Sequence, residues 1–155
     1  MPQRTAQQPD DRSLVTHRTM RAPRQRVFRA FLEAGALRKW FGPDGFDTVT
    51  HEMDAQPGGL WRFTMHGPDG TDYPNWVRYL EITAPERIEW DQGDVVGGQP
   101  WFRTTITFED VEGGTRVTLH SVFPDREARD KNVAEHGAVE GGHQTLARLA
   151  AFVEA

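Results

Sequence analysis

The chain of 155 residues has no cysteine, only two lysines, only two serines and no long apolar run. Without cysteine, a disulfide framework and any thiolate-bound zinc or iron–sulfur centre are excluded. The serines, Ser13 and Ser121, lie outside any G-x-S-x-G pattern, so a nucleophile-elbow hydrolase is excluded as well. No stretch approaches the roughly 18 apolar residues of a membrane span, and Met1 to Arg12 lacks the apolar core of a signal peptide, so the expected location is the cytoplasm. Basic excess is also missing. Lys+Arg number 18 against 23 Asp+Glu, a net charge of −5, which argues against nucleic acid or an anionic membrane as partner. The 16 arginines that outnumber the two lysines fit codon bias in a GC-rich, bacterial genome and carry no function. H-x-H, H-E-x-x-H, paired carboxylates and G-x-G-x-x-G are all absent, so no metal, no cofactor and no catalytic residue is assigned.

What is present is a chain that is 37% hydrophobic and long enough to bury roughly 70% of its unfolded surface in one core. Residues 1–12 are polar, with two prolines, and are expected to be a disordered lead-in to a single domain over 13–155. Leu14 to Met20 is rich in β-branched residues and predicts a strand. Pro23 fits a helix start, with Val27, Phe28, Phe31 and Leu32 on one face before Gly35 as the stop. Leu37, Trp40 and Phe41 form a second short stripe that Gly42-Pro43 terminates.

From there to Pro124 the punctuation is that of an antiparallel sheet. Strand-length runs at 46–53, 59–66, 73–82, 87–91, 101–110 and 115–123 are separated by turn residues such as Pro57-Gly58-Gly59, Pro68-Asp69-Gly70, Ala84-Pro85 and Gly113-Gly114. Alternation puts Trp61, Phe63 and Met65 on one face, with Phe102, Thr104, Ile106 and Phe108, and Val117, Leu119, Ser121 and Phe123. Arg62, Arg103, Glu109, Arg116 and His120 fall on the wet face. Arg126 to Ala155 predicts one long helix, its apolar stripe Val139, Gly142, Leu146, Leu149 and Val153. The expected fold is α+β, a curved antiparallel sheet of about seven strands with two short helices and a long C-terminal helix over it.

Several segments in order resemble the family of homologues of the activator of the heat-shock-protein-90 ATPase. They are Arg18-Thr19-Met20-Arg21-Ala22-Pro23, Leu37-Arg38-Lys39-Trp40-Phe41-Gly42-Pro43, Pro57-Gly58-Gly59-Leu60-Trp61-Arg62-Phe63, Leu80 to Ile88, Gly113 to Leu119, and Glu140-Gly141 with Leu146-Ala147-Arg148-Leu149. The resemblance runs from about Leu14 to Phe152. It implies the START-like, birch-allergen-like helix-grip fold (the SRPBCC superfamily), with a hydrophobic cavity between sheet and C-terminal helix. Since that superfamily hosts lipid carriers, receptors, cyclases and co-chaperone domains, activity has to be argued from the cavity. Relatives often carry tryptophan directly after the Glu-Gly of the last helix, where this chain has Gly142.

On this basis the expected function is non-enzymatic binding of a small hydrophobic molecule. Trp61, Phe63, Met65, Ile106 and Leu146 supply apolar contact, and Tyr79, His51 or His143 a polar one. His51 alternates with Val49 and Met53 and is read as inward; His136 and His143 flank the helical stripe. The wider aromatic set, with Trp76, Trp90, Phe102 and Phe108, serves equally as a pocket lining or as plain core. The arginines from Arg18 to Arg29 read as a solvated helix face. A chaperone-modulating interaction module and a cyclase-like enzyme using a cavity histidine are the alternatives, and a homodimer is left open. Gly142 has two readings, close approach of a strand or ligand space beneath the helix. With no ligand spacing in the sequence, melting with and without a strong chelator should give the same Tm; a drop of several degrees would contradict it.

Overall fold

The computed structural model describes residues 10–155. The expected lead-in therefore falls outside the described residues up to residue 9. Asp10 to Arg12 form a turn tied to the end of the sheet: Phe123 N donates to Arg12 O at 2.9 Å, and Arg12 Nη1 to Pro124 O at 3.3 Å.

Seven strands make one antiparallel sheet: β1 (Ser13–Met20), β2 (Asp47–Met53), β3 (Leu60–His66), β4 (Asp72–Thr83), β5 (Arg87–Gly93), β6 (Phe102–Val111) and β7 (Gly114–Val122). Their order is β1-β7-β6-β5-β4-β3-β2, so β1 and β2 are the edges. The expected faces hold for β3, β6 and β7, where Ile106 lies opposite Leu119 and Phe108 opposite Val117. On the outer face ion pairs run across strands: Arg62 to Glu52, Arg103 to Asp91, Arg87 to Glu81 and Arg116 to Glu109. Such exposed pairs contribute little stability each and chiefly keep this face in water.

One inference from alternation fails, and one member of the aromatic set falls on the outer face. In β2 the register shifts between Thr50 and Glu52, so Thr50 faces Phe63 and Met53 faces Trp61 on the inner side. His51 is the extra residue of this bulge. It is exposed on the outer face, with Nε2 2.7 Å from Thr64 Oγ1, not inward as its spacing from Met53 implies. In β4, Trp76 lies opposite Arg62 and Gly93 on the outer face, whereas Tyr79, opposite Trp90, is inner. Gly93 makes room for the Trp76 ring, since a Cβ there would sit 2.9 Å from Trp76 Nε1.

Four helices accompany the sheet: α1 (Arg24–Arg29), α2 (Ala34–Trp40), α3 (Arg126–His136) and α4 (Ala138–Glu154). The first expected helix is shorter than its stripe. After Arg29 the chain tightens, Phe31 N bonding Phe28 O and Leu32 N bonding Arg29 O, and Gly35 sits in the first turn of α2 instead of ending α1. The single long C-terminal helix is also corrected: it breaks at Gly137, which is left-handed (φ 59°) with its N–H bonded to Val133 O. That is the C′ glycine of α3. Asp125 caps the start of α3, accepting from Ala128 N at 2.7 Å.

Val27, Phe31, Leu37 and Trp40 from α1 and α2, and Leu146, Leu149 and Val153 from α4, close over Trp61, Phe63, Tyr79, Ile88, Trp90 and Ile106 of the sheet. Arg148 fixes α4 at one side. Its guanidinium donates to the carbonyls of Gly42 (3.0 Å), Pro43 (2.8 Å), Lys39 (3.0 Å) and Phe46 (3.1 Å), at the end of α2 and in the loop to β2. Arg148→Met keeps the stem but removes every donor, and should lower stability by about 2 kcal/mol or more, with Arg148→Lys recovering only part. Urea unfolding measures both; a loss under 0.5 kcal/mol for Arg148→Met, on the scale of a surface change, would contradict it.

Candidate functional site

The inner face is filled at one end and open at the other. At the filled end Trp61 stacks on Phe63 with centroids 3.9 Å apart, Phe41 meets Trp61 edge-on at 5.2 Å, and Tyr79 meets Trp90 at 6.1 Å. These aromatics fill the space they were expected to line. Met65 is half-buried beside them, with its Cε over Gly42, where a Cβ would come within 2.6 Å. Ile106 and Leu146 are buried in the same core.

At the other end, under the α3–α4 junction, lies a pocket of about 160 Å³. Leu14, Phe102, Leu119, Ser121 and Phe123 form its floor, and Asn132, Val139 and Gly142 its roof. Leu14, Phe102, Leu119 and Val139 are only half-buried although they point inward. The polar groups here are few: Ser121 Oγ lies 2.9 Å from Thr104 Oγ1, and His143 Nδ1 lies 3.2 Å from Thr16 Oγ1 beside the pocket wall. Of the nine expected contact residues, only Gly142 lines this pocket; His143 adjoins it, and His51 is on the far side of the sheet. Leu119, Ser121, Phe123 and Phe102 were legible as inward-facing. What alternation does not give is how far along the strand the covering helix stops.

Gly142 shows the close approach that was the first of its two readings. It lines the pocket, and a Cβ on it would lie 3.2 Å from Thr16 Cγ2, so α4 approaches β1 closely here. A second hollow, of about 320 Å³ between α1 and the end of α4, is larger but lined by Arg26, Arg29 and Glu33. No three His, Asp or Glu side chains come together as metal ligands among the described residues. Nor is any helix there long and apolar enough to cross a membrane.

Residues 21–154 match the family model described as Activator of Hsp90 ATPase homolog 1-like protein. The chain belongs to this family. A crystal structure of a Chromobacterium violaceum protein is similar at 31% identity and TM-score 0.78, over 93% of this chain and 98% of that one. A solution structure of an Arthrobacter aurescens protein is similar at 28% identity and TM-score 0.85, over 95% and 90%. The solution structure of an Aeromonas hydrophila protein described as AHSA1-like shares the fold at 16% identity and TM-score 0.72, over 92% of each chain. No curated protein matches. The family and its helix-grip fold, a START-like sheet with the C-terminal helix against it, are as the sequence motifs imply.

Tyr79 is buried and its hydroxyl has no hydrogen-bond partner among the described residues. Burial pushes this phenol well above its ordinary value of 10.0. The folded state thus keeps a proton that the unfolded chain releases above about pH 10, so the protein loses stability as pH rises through that range and not below it. Tyr79→Phe removes both the orphaned hydroxyl and this titration. Urea unfolding at pH 7 and pH 11 should show it no less stable than wild type at pH 7, with a smaller loss at pH 11; equal alkaline losses would refute the assignment.

Proposed function

We propose that this protein binds a small, largely apolar molecule in the pocket under the α3–α4 junction and performs no chemistry on it. The observation that carries this reading is the set of inward-facing apolar side chains left half-buried there, Leu14, Phe102, Leu119 and Val139, on a face otherwise sealed by helices. Small-molecule sites are built this way, from apolar walls and a few polar groups. The volume limits the ligand: an apolar cavity of about 150 Å³ holds one benzene ring. The cyclase-like alternative lacks a favouring observation, because the pocket lining contains no carboxylate and no histidine.

A protein-interaction role has one observation in its favour. Val95, Val96 and Trp101, in the loop between β5 and β6, are 63%, 46% and 41% exposed. The family description supplies a heat-shock ATPase as the partner to test. We expect no saturable stimulation of that ATPase from the same organism; a stoichiometric rise, lost on Trp101→Ser, would reverse the ranking of the two readings.

Gly142→Trp tests the pocket. An indole at this position enters the pocket once Thr16 gives way, and the overpacking against β1 costs about 1 to 3 kcal/mol unless the filled space offsets it. Nuclear magnetic resonance titration with toluene should shift the amides of Leu119, Ser121 and Val139 in the wild type and leave them unmoved in Gly142→Trp. Denaturant melts confirm that the variant is folded, with Gly142→Leu as the smaller plug should it not be. Absence of binding of both toluene and phenol to the wild type would defeat the proposal.

A further inference from the structure

The hydroxyl pair in the pocket floor determines what the ligand must carry. Thr104 on β6 lies opposite Ser121 on β7, their oxygens 2.9 Å apart, and either is able to donate. A hydroxyl has one hydrogen to give and two lone pairs to receive. Thr104 is 5% exposed, and Ser121 is the only hydrogen-bond partner of its hydroxyl among the described residues. Were Ser121 the donor, the Thr104 hydrogen would be left in the packed interior without an acceptor, a costly arrangement. Thr104 therefore donates to Ser121. The Ser121 hydrogen is then free, and Ser121 is the member of the pair that lines the pocket.

The opposite wall carries a second unused polar group. Asn132 lines the pocket from α3, half-buried, and its side-chain amide makes no hydrogen bond among the described residues. An amide offers a carbonyl acceptor as well as N–H donors. The pocket thus presents a donor on the sheet side and an acceptor on the helix side, across about 160 Å³ lined otherwise by apolar side chains and by Thr16, whose hydroxyl is already paired with His143. A hydroxyl group satisfies both at once: its oxygen accepts from Ser121 while its hydrogen is given to Asn132. No arginine or lysine lines the pocket, so a carboxylate would be buried without a counter-charge.

We propose that the ligand of this pocket is a neutral single-ring phenol or cyclic alcohol, its hydroxyl held between Ser121 and Asn132 and its ring against Leu119 and Val139. This rests on the reading of the pocket as a ligand site. The test is titration of wild type, Ser121→Ala and Asn132→Leu with phenol, toluene and benzoate, followed by nuclear magnetic resonance. In wild type, phenol should bind at least as tightly as toluene, although transfer from water by itself favours toluene. Ser121→Ala and Asn132→Leu should each weaken phenol by about fivefold and leave toluene unchanged or tighter. Toluene binding clearly tighter than phenol in wild type, benzoate matching phenol, or variants that move phenol and toluene alike would overturn the hydroxyl assignment while leaving the apolar pocket standing. Failure of both toluene and phenol to bind would remove the pocket reading as well.

Discussion

The fold depends on one helix reaching both edges of a seven-stranded sheet. On one side Arg148 of α4 donates to four carbonyls at the end of α2 and in the loop that leads into β2. Gln144 adds to this grip, its Oε1 accepting from Asp44 N at 3.0 Å. On the other side His143 reaches Thr16 of β1, and Gly142 lies so close that no Cβ fits without a shift. Because β1 and β2 are the sheet's opposite edges, a helix fastened to β1 and to the loop that enters β2 spans the concave face of the sheet. A guanidinium suits the first contact, since its donors fan out in one plane and reach several carbonyls at once.

Where the helix is fastened also decides where the interior is full. Leu146, Leu149 and Val153 lie along the C-terminal half of α4 and are buried in the same core as the aromatic stack, so the sheet beneath them is covered. Toward its N-terminus α4 has Gly141 and Gly142, and α3 before it has no buried residue at all. The covering there is thin in apolar side chains. The pocket is the direct result, a volume that the sheet encloses and the helices roof without filling. Segments with few buried contacts are the first to open locally, and α3, ended by the left-handed Gly137, is such a segment.

The sheet, its number of strands and the two short helices were legible because alternation and turn residues are local signals. Trp61, Phe63, Ile106 and Leu119 all face as their spacing implies. Two errors in the sheet have different causes. A one-residue bulge reverses the facing of everything beyond it, and nothing in the run Val49-Thr50-His51-Glu52-Met53 marks which residue will be extra. His51 thus moved from the candidate site to the opposite face. Trp76 is the other error, an aromatic three residues before an inward Tyr79 and therefore on the outer side. The break at Gly137 had a readable signal, a glycine directly after His136, but the apolar stripe that continues from Val139 masks it. The candidate site was least legible, because a pocket is defined by where the covering helix lacks side chains, and that follows from the tertiary approach of α4 to β1.

Gly142 shows how the closeness and the vacancy are connected. Two consecutive glycines in a helix cost about 1.6 to 2 kcal/mol relative to alanine, and the contacts they permit are what offsets it. Gly141 faces Pro43, where a Cβ would sit at an ordinary 3.4 Å, so its contribution there is small. Gly142 faces Thr16 at 3.2 Å, so removing its side chain brings the backbone of α4 down onto β1. A helix lowered at that point keeps His143 within reach of Thr16, yet leaves no side chain from position 142 to project toward Leu119 and Phe123. The same missing atoms that let the helix touch one edge strand therefore leave the volume beside it unfilled. Close approach and open space beneath the helix, which the sequence presents as alternatives, are two consequences of one glycine.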